Sequence, residues 1–252
     1  MMSDPRLASY ALSLGDDALV LGHRLSQWSS RAPTLEEDIA LSNLALDLIG
    51  QARLFYTLAG EVEGNGHNED HYAYFREPEA FRNILLVELP NGDFAHTMVR
   101  QLLYAAFVHP YFQALARSVH GGLSDIAAKA VKEMAYHVRH SAEWVIRLGD
   151  GTDESRRRTI AAFEALWPYV DELFESDADE HVLIEAGIAP DREALRATWE
   201  NVIDRVLGEA QLKRPDAGGL VQGGGRTGHH VHLAEMLAGM QSLARAHPGA
   251  VW

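Results

Sequence analysis

The chain contains no cysteine. That absence excludes a disulfide framework, a thiolate zinc site, an iron–sulfur cluster and a cysteine nucleophile together. Basic residues are scarce beside acids: 22 Lys and Arg stand against 36 Asp and Glu, a formal net charge of −14. Nucleic-acid binders draw their affinity mainly from neutralising phosphates, so that class is set aside. No run of 18 apolar residues occurs, because Arg100, Gln101, His109-Pro110 and Gln113 interrupt the most apolar stretch, which argues against a membrane span. Met1-Met2-Ser3-Asp4-Pro5 has neither the basic nor the apolar region of a signal peptide. These absences lead to the expectation of a cytoplasmic protein with neither nucleic acid nor membrane as partner. No long stretch alternates apolar and polar residues with the strand period of two, so the fold is expected to be all-α.

What the sequence does have is four long helical patterns in its first 150 residues. The first opens on Asp4-Pro5, an N-cap followed by proline at the first helical position, and runs to about residue 30. Thr34 and Glu37 have capping-box spacing and open a second helix reaching Gly60. Asn91-Gly92-Asp93 launches a third, over 94 to about 120, which Gly121-Gly122 is expected to end. Ser124-Asp125 then starts a fourth that stops at Gly149-Asp150-Gly151. Each is about 26 residues, or ~39 Å long at 1.5 Å per residue.

Short links join helices one to two and three to four, as antiparallel hairpins require. Some 33 residues separate the second helix from the third, with short helical pieces such as 77–87. Two hairpins joined by one long crossover is the connectivity of a ferritin-like four-helix bundle. Additional C-terminal helices are expected at about 153–175 (kinked at Pro168), 191–213 and 229–246. A glycine-rich loop, Gly218-Gly219 and Gly223-Gly224-Gly225, separates the last two; with no strand before it, it is no nucleotide-binding signature. The expected organisation is one domain over 1–252, with a core bundle at about 5–150.

Enzymes that hold a di-iron centre in this scaffold need a Glu from each of two helices and a Glu-x-x-His motif from each of the other two. The third helix has no Asp or Glu anywhere from Phe94 through Ser124. The second offers Asn43, Asp47, Leu48 and Gln51 but no Glu-x-x-His. On the fourth, Glu133 and His137 stand four apart, and the residue three before His137 is Met134. Two readings stay open. Glu133 and His137 could share a single metal, or Asp47, Gln51, Glu133 and His137, with Arg100 from the third helix, could form a hydrogen-bonded network. Elsewhere, His67 and His71 sit in or beside a loop, and His229, His230 and His232 mark either a helix entrance or a metal cluster. The acidic run Asp171, Glu172, Glu175, Asp177, Asp179 and Glu180 reads as a solvated face.

Several segments carry a resemblance. Leu14-Gly15-Asp16-Asp17-Ala18-Leu19-Val20-Leu21-Gly22-His23-Arg24-Leu25 and Leu46-Asp47-Leu48-Ile49-Gly50-Gln51-Ala52-Arg53 are similar to the C-subunit family of phenylacetyl-CoA epoxidase. So are Glu88-Leu89-Pro90-Asn91-Gly92-Asp93-Phe94-Ala95, Lys132-Glu133 with Tyr136-His137, Gly224-Gly225-Arg226-Thr227-Gly228-His229, Met240-Gln241 and Pro248-Gly249-Ala250-Val251-Trp252. The resemblance implies a structural, non-catalytic subunit of a multicomponent monooxygenase that epoxidises the aromatic ring of phenylacetyl-CoA. It implies no cofactor in this chain. The di-iron centre would belong to a catalytic ferritin-like A subunit, and FAD and an iron–sulfur cluster to a reductase. It also places Leu48, Gln51 and Met134 at three degenerate metal-site positions, with His137 alone keeping its type, and Asp47 and Glu133 beside them. The alternative is a metal-binding oxygenase active in its own right. For a subunit interface, the first two helices, with Leu19, Leu21, Leu54, Phe55 and Tyr56, supply more apolar surface than one core stripe needs.

Overall fold

The computed structural model describes residues 4–216, 221 and 226–250. Among them there is no strand, and no helix is long and apolar enough to cross a membrane. Helix α1 (Pro5–Ser26) starts where Asp4 accepts the backbone N–H of Arg6, with Pro5 in the first turn. Helix α2 (Leu35–Glu63) starts where the Thr34 hydroxyl accepts the N–H of Glu37. The reciprocal half of the expected box is not made, because the Glu37 carboxylate pairs with His140 Nε2 at 2.9 Å. Gly64, at φ 67°, closes α2 in the left-handed conformation that glycine adopts without strain.

The crossover carries two short helices, α3 (Glu69–Tyr74) and α4 (Leu85–Glu88), with a 3₁₀ turn at Pro78–Ala80 between them. Helix α5 (Phe94–Leu115) begins at the Asp93 cap and is buried on nearly every side. Helix α6 (Gly121–Gly149) completes the bundle. The glycine pair thus opens α6 rather than ending α5. The His120 side chain accepts the N–H of Leu123 as the cap, and α5 has already stopped at Leu115. Helices α1 with α2 and α5 with α6 form the two hairpins, and α2 meets α6 across the bundle. This is the ferritin-like arrangement.

The remaining helices wrap that core. Helix α7 (Asp153–Leu166) ends in a 3₁₀ turn at Pro168 and lies on α5 and α6. Helix α8 (Ala178–Glu185) forms inside the acidic run and contacts α1. Helix α9 (Arg196–Glu209) is pinned to α5 by Trp199, whose Nε1–H donates to the Leu103 carbonyl at 3.0 Å. Helix α10 (Val231–Ala246) packs on α3. A continuous apolar core runs from Leu7 to Leu237. The glycine-rich loop expected at 218–225 lies outside the described residues, Val221 excepted.

Candidate functional site

At the bundle centre, Leu48 and Gln51 of α2, Gln101 of α5, and Met134 and His137 of α6 are all buried. Gln51 donates through Nε2 to Glu133 Oε2 at 2.9 Å and lies 3.8 Å from the Met134 sulfur. Gln101 Nε2 stands 3.0 Å from His137 Nδ1. With the amide donating, Nδ1 is the acceptor and the ring proton sits on Nε2. That proton faces Asp47 Oδ2 at 3.4 Å. Asp47 is not enclosed: its side chain keeps 35% of its exposure, at the outer edge of the α2–α6 contact. Asn43 is exposed, and Arg100 points elsewhere, donating to the Leu89 carbonyl and the Asn91 side chain. The cluster is a hydrogen-bonded seam linking α2, α5 and α6.

These residues do not fit a di-iron centre. Leu48, Gln51 and Met134 supply no anionic ligand, and α5 contains no carboxylate. Asp47 and Glu133 are each engaged by a neighbour at the rim. Among the described residues, no three His, Asp or Glu side chains converge in a way that could hold a metal ion. Among those same residues, the acceptors left without a donor at this centre are two amide oxygens, Gln51 Oε1 and Gln101 Oε1.

The densest ionic chemistry lies elsewhere, on the side of α1 that faces the crossover. Asp16, fully buried, is held by the Arg76 guanidinium, by the Tyr56 hydroxyl at 2.5 Å and by the Arg82 backbone N–H at 2.8 Å. Asp17 accepts the Ile84 N–H at 2.8 Å and pairs with Arg226 at 2.9 Å. Burial pushes the Asp17 carboxyl above its ordinary value, and Arg226 offsets only part of that rise. Glu88 gathers the Asn83 amide (2.8 Å), His229 Nδ1 (2.5 Å) and the His230 N–H (2.7 Å). Burial disfavours the His229 cation, but the hydrogen bond and charge of Glu88 outweigh it and hold the ring above its usual value. The pattern explains where the C-terminal segment goes: it is fastened to α1 and the crossover by buried ion pairs.

Two expectations are corrected here. The acidic run is not uniformly a solvated face. Glu172 is buried with one oxygen on the Leu85 N–H, and burial lifts its carboxyl to about 7. Glu180 is buried against Arg192 at 2.5 Å, while Asp171 pairs with Arg196 at 2.7 Å; only Glu175, Asp177 and Asp179 remain exposed. The residues expected to supply an interface are also misplaced. Leu19, Leu21, Phe55 and Tyr56 lie in the core, and Leu54 is half-buried. The histidines do not converge on one point: His229 binds Glu88, while His230, at the N-cap position of α10 without a side-chain cap bond, stacks on His232, which lies 3.2 Å from Glu235. His71 belongs to α3 and stacks on His67 with ring centres 3.5 Å apart.

Sequence reasoning passed over Asp16, Asp17, Arg76, Glu88 and Arg226 as functional positions. The available signal was two adjacent acids inside an apolar stretch of α1, where an unpaired charge would be costly.

The protein-family model described as "Phenylacetic acid catabolic protein" matches residues 2–252. Among curated proteins, the chain is 44% identical over 247 residues to the C subunit of the 1,2-phenylacetyl-CoA epoxidase of Escherichia coli (strain K12). The match covers 98% of this chain and 99% of that protein.

Proposed function

The chain belongs to the phenylacetic acid catabolic protein family, and from that premise we propose that it is a non-catalytic subunit of a multicomponent di-iron monooxygenase. The complex would epoxidise the aromatic ring of phenylacetyl-CoA in aerobic phenylacetate catabolism. A related ferritin-like A subunit would hold the iron, and a reductase with FAD and an iron–sulfur cluster would supply electrons. This chain would contribute structure: a rigid bundle that packs against the catalytic subunit and holds it in its working shape.

The observation that supports this reading is the bundle centre, where Leu48, Gln51 and Met134 offer no anionic ligand and α5 is free of carboxylates. The seam of Gln51, Glu133, Gln101, His137 and Asp47 then serves packing specificity rather than chemistry. Iron loading under anaerobic conditions, followed by emission analysis of the separated chains, tests it. The catalytic partner should retain iron and this chain should not. About two iron atoms retained per chain here would make it an oxygenase in its own right and overturn the proposal.

A further inference from the structure

One histidine ring at the start of the C-terminal segment has an oxygen on each of its nitrogens. His229 Nδ1 lies 2.5 Å from Glu88 Oε1, and Nε2 lies 2.9 Å from the Phe81 carbonyl oxygen. A carbonyl oxygen only accepts, so Nε2 carries a proton. Glu88 is an acceptor as well: its Oε1 takes the Asn83 amide and its Oε2 the His230 N–H. Nδ1 therefore carries a second proton, and the ring fits its place as the imidazolium cation. A neutral ring, in either tautomer, would set a lone pair against one of the two oxygens.

This ring stands at the root of a strap, residues 226–246, that lies across the crossover. Arg226 pairs with Asp17 of α1 and donates to the Arg82 carbonyl at 3.0 Å. Gln241 of α10 donates to the carbonyls of Ala73 and Arg76, both at 3.0 Å. Arginine and glutamine remain donors across the neutral range, whereas an imidazolium does not. The His229 side chain keeps 10% of its exposure, so its proton is within reach of solvent. We propose that the His229 imidazolium is a pH-sensitive clasp, and that loss of its proton as pH rises loosens the strap from the crossover while the helix bundle stays folded. The clasp goes beyond the partner-subunit reading and does not depend on it.

The surrounding charges set the direction. Burial disfavours the cation, but Glu88 and, at longer range, Asp16 outweigh it and hold the ring above the usual imidazole value. The clasp is thus fully closed below that usual value and gives way as pH climbs through the ring's own, higher one. Asp16 is paired with Arg76, and Arg226 with Asp17. Arg24 of α1 faces both Glu88 and Glu235 of α10, and donates to the Glu88 and His232 carbonyls. His230 and His232 stack on each other beyond the clasp. Glu172 is a competing titration: it holds the Leu85 N–H at the start of α4, and burial lifts its carboxyl to about 7.

Hydrogen exchange of the full chain, read by mass spectrometry from about pH 6 to about pH 9 and corrected for the intrinsic rate, tests the clasp. Opening of α10 should increase by up to about tenfold per pH unit above the usual imidazole value, then level off once His229 has titrated. Amides of α5 should stay protected at every pH. His229→Gln, which cannot ionise, should open α10 at low pH as readily as the parent does at high pH, with no slope. His230→Gln, which alters the exposed neighbouring ring, should keep the parent slope. Glu172→Gln should keep it too, and decides the matter even where His229→Gln does not fold. A flat parent profile, α5 exchanging in step with α10, a slope that survives in His229→Gln or one that vanishes in Glu172→Gln would each overturn the proposal.

Discussion

Asp16 and Asp47 are both acids on bundle helices, yet they stand in opposite situations. Asp16 has no exposure and depends on Arg76 for its charge balance. Removing one partner of such a buried pair leaves the other charge uncompensated, so Arg76→Met is expected to cost about 3–5 kcal/mol in chemical denaturation. Asp47 is a third exposed and its contact to His137 is 3.4 Å long, so Asp47→Ala should change stability by no more than about 1 kcal/mol. Comparable losses for the two variants would contradict this ranking. Glu172 makes a pH-dependent prediction. Its folded value of about 7 lies above the ordinary 4.5, so ionisation opposes folding, and stability is lost as pH rises between those values. Glu172→Gln keeps an acceptor for the Leu85 N–H and does not ionise. Its stability relative to the parent chain should therefore rise from pH 5 to pH 8, by up to roughly 3 kcal/mol. A difference that stays flat across that range would count against a buried, proton-retaining carboxyl.

At the scale of elements, the caps and breakers written in the sequence were readable. Asp4, Thr34 and Asp93 open α1, α2 and α5, and α7 gives way to a 3₁₀ turn at Pro168. The short pieces were readable only in part: the helical segment expected at 77–87 is a 3₁₀ turn at Pro78–Ala80 followed by α4, while α3 and α8 were not expected, being too short to show a period and held by tertiary contacts. The Gly121-Gly122 pair misled for a physical reason: glycine is tolerated at a helix start when a side chain such as His120 caps the turn. Likewise, sequence could place Gln51, Met134 and His137 on facing helices but could not show that Asp16 and Asp17 await Arg76 and Arg226 from 60 and 209 residues away. Glycines test the packing of these elements. A Cβ on Gly15 would fall 2.6 Å from the Tyr56 ring, where α1 meets α2. Gly15→Ala should therefore destabilise by about 1–3 kcal/mol through overpacking. Gly50→Ala, where an added Cβ meets open space, should instead stabilise by up to about 1 kcal/mol. The opposite signs are the check, read by urea denaturation of both variants.

On the scale of the whole molecule, the ferritin-like scaffold carries its densest buried ion pairs away from the bundle centre. The bundle centre retains a hydrogen-bonded seam without a ligand set. The buried charges instead fasten the crossover and the C-terminal segment to α1. The most direct measurement is reconstituted turnover of phenylacetyl-CoA, with the catalytic subunit, this chain, or both supplied with reductase and NADPH. Product should form only when both subunits are present. Full turnover by the catalytic subunit without this chain, or turnover by this chain without it, would contradict the proposed role.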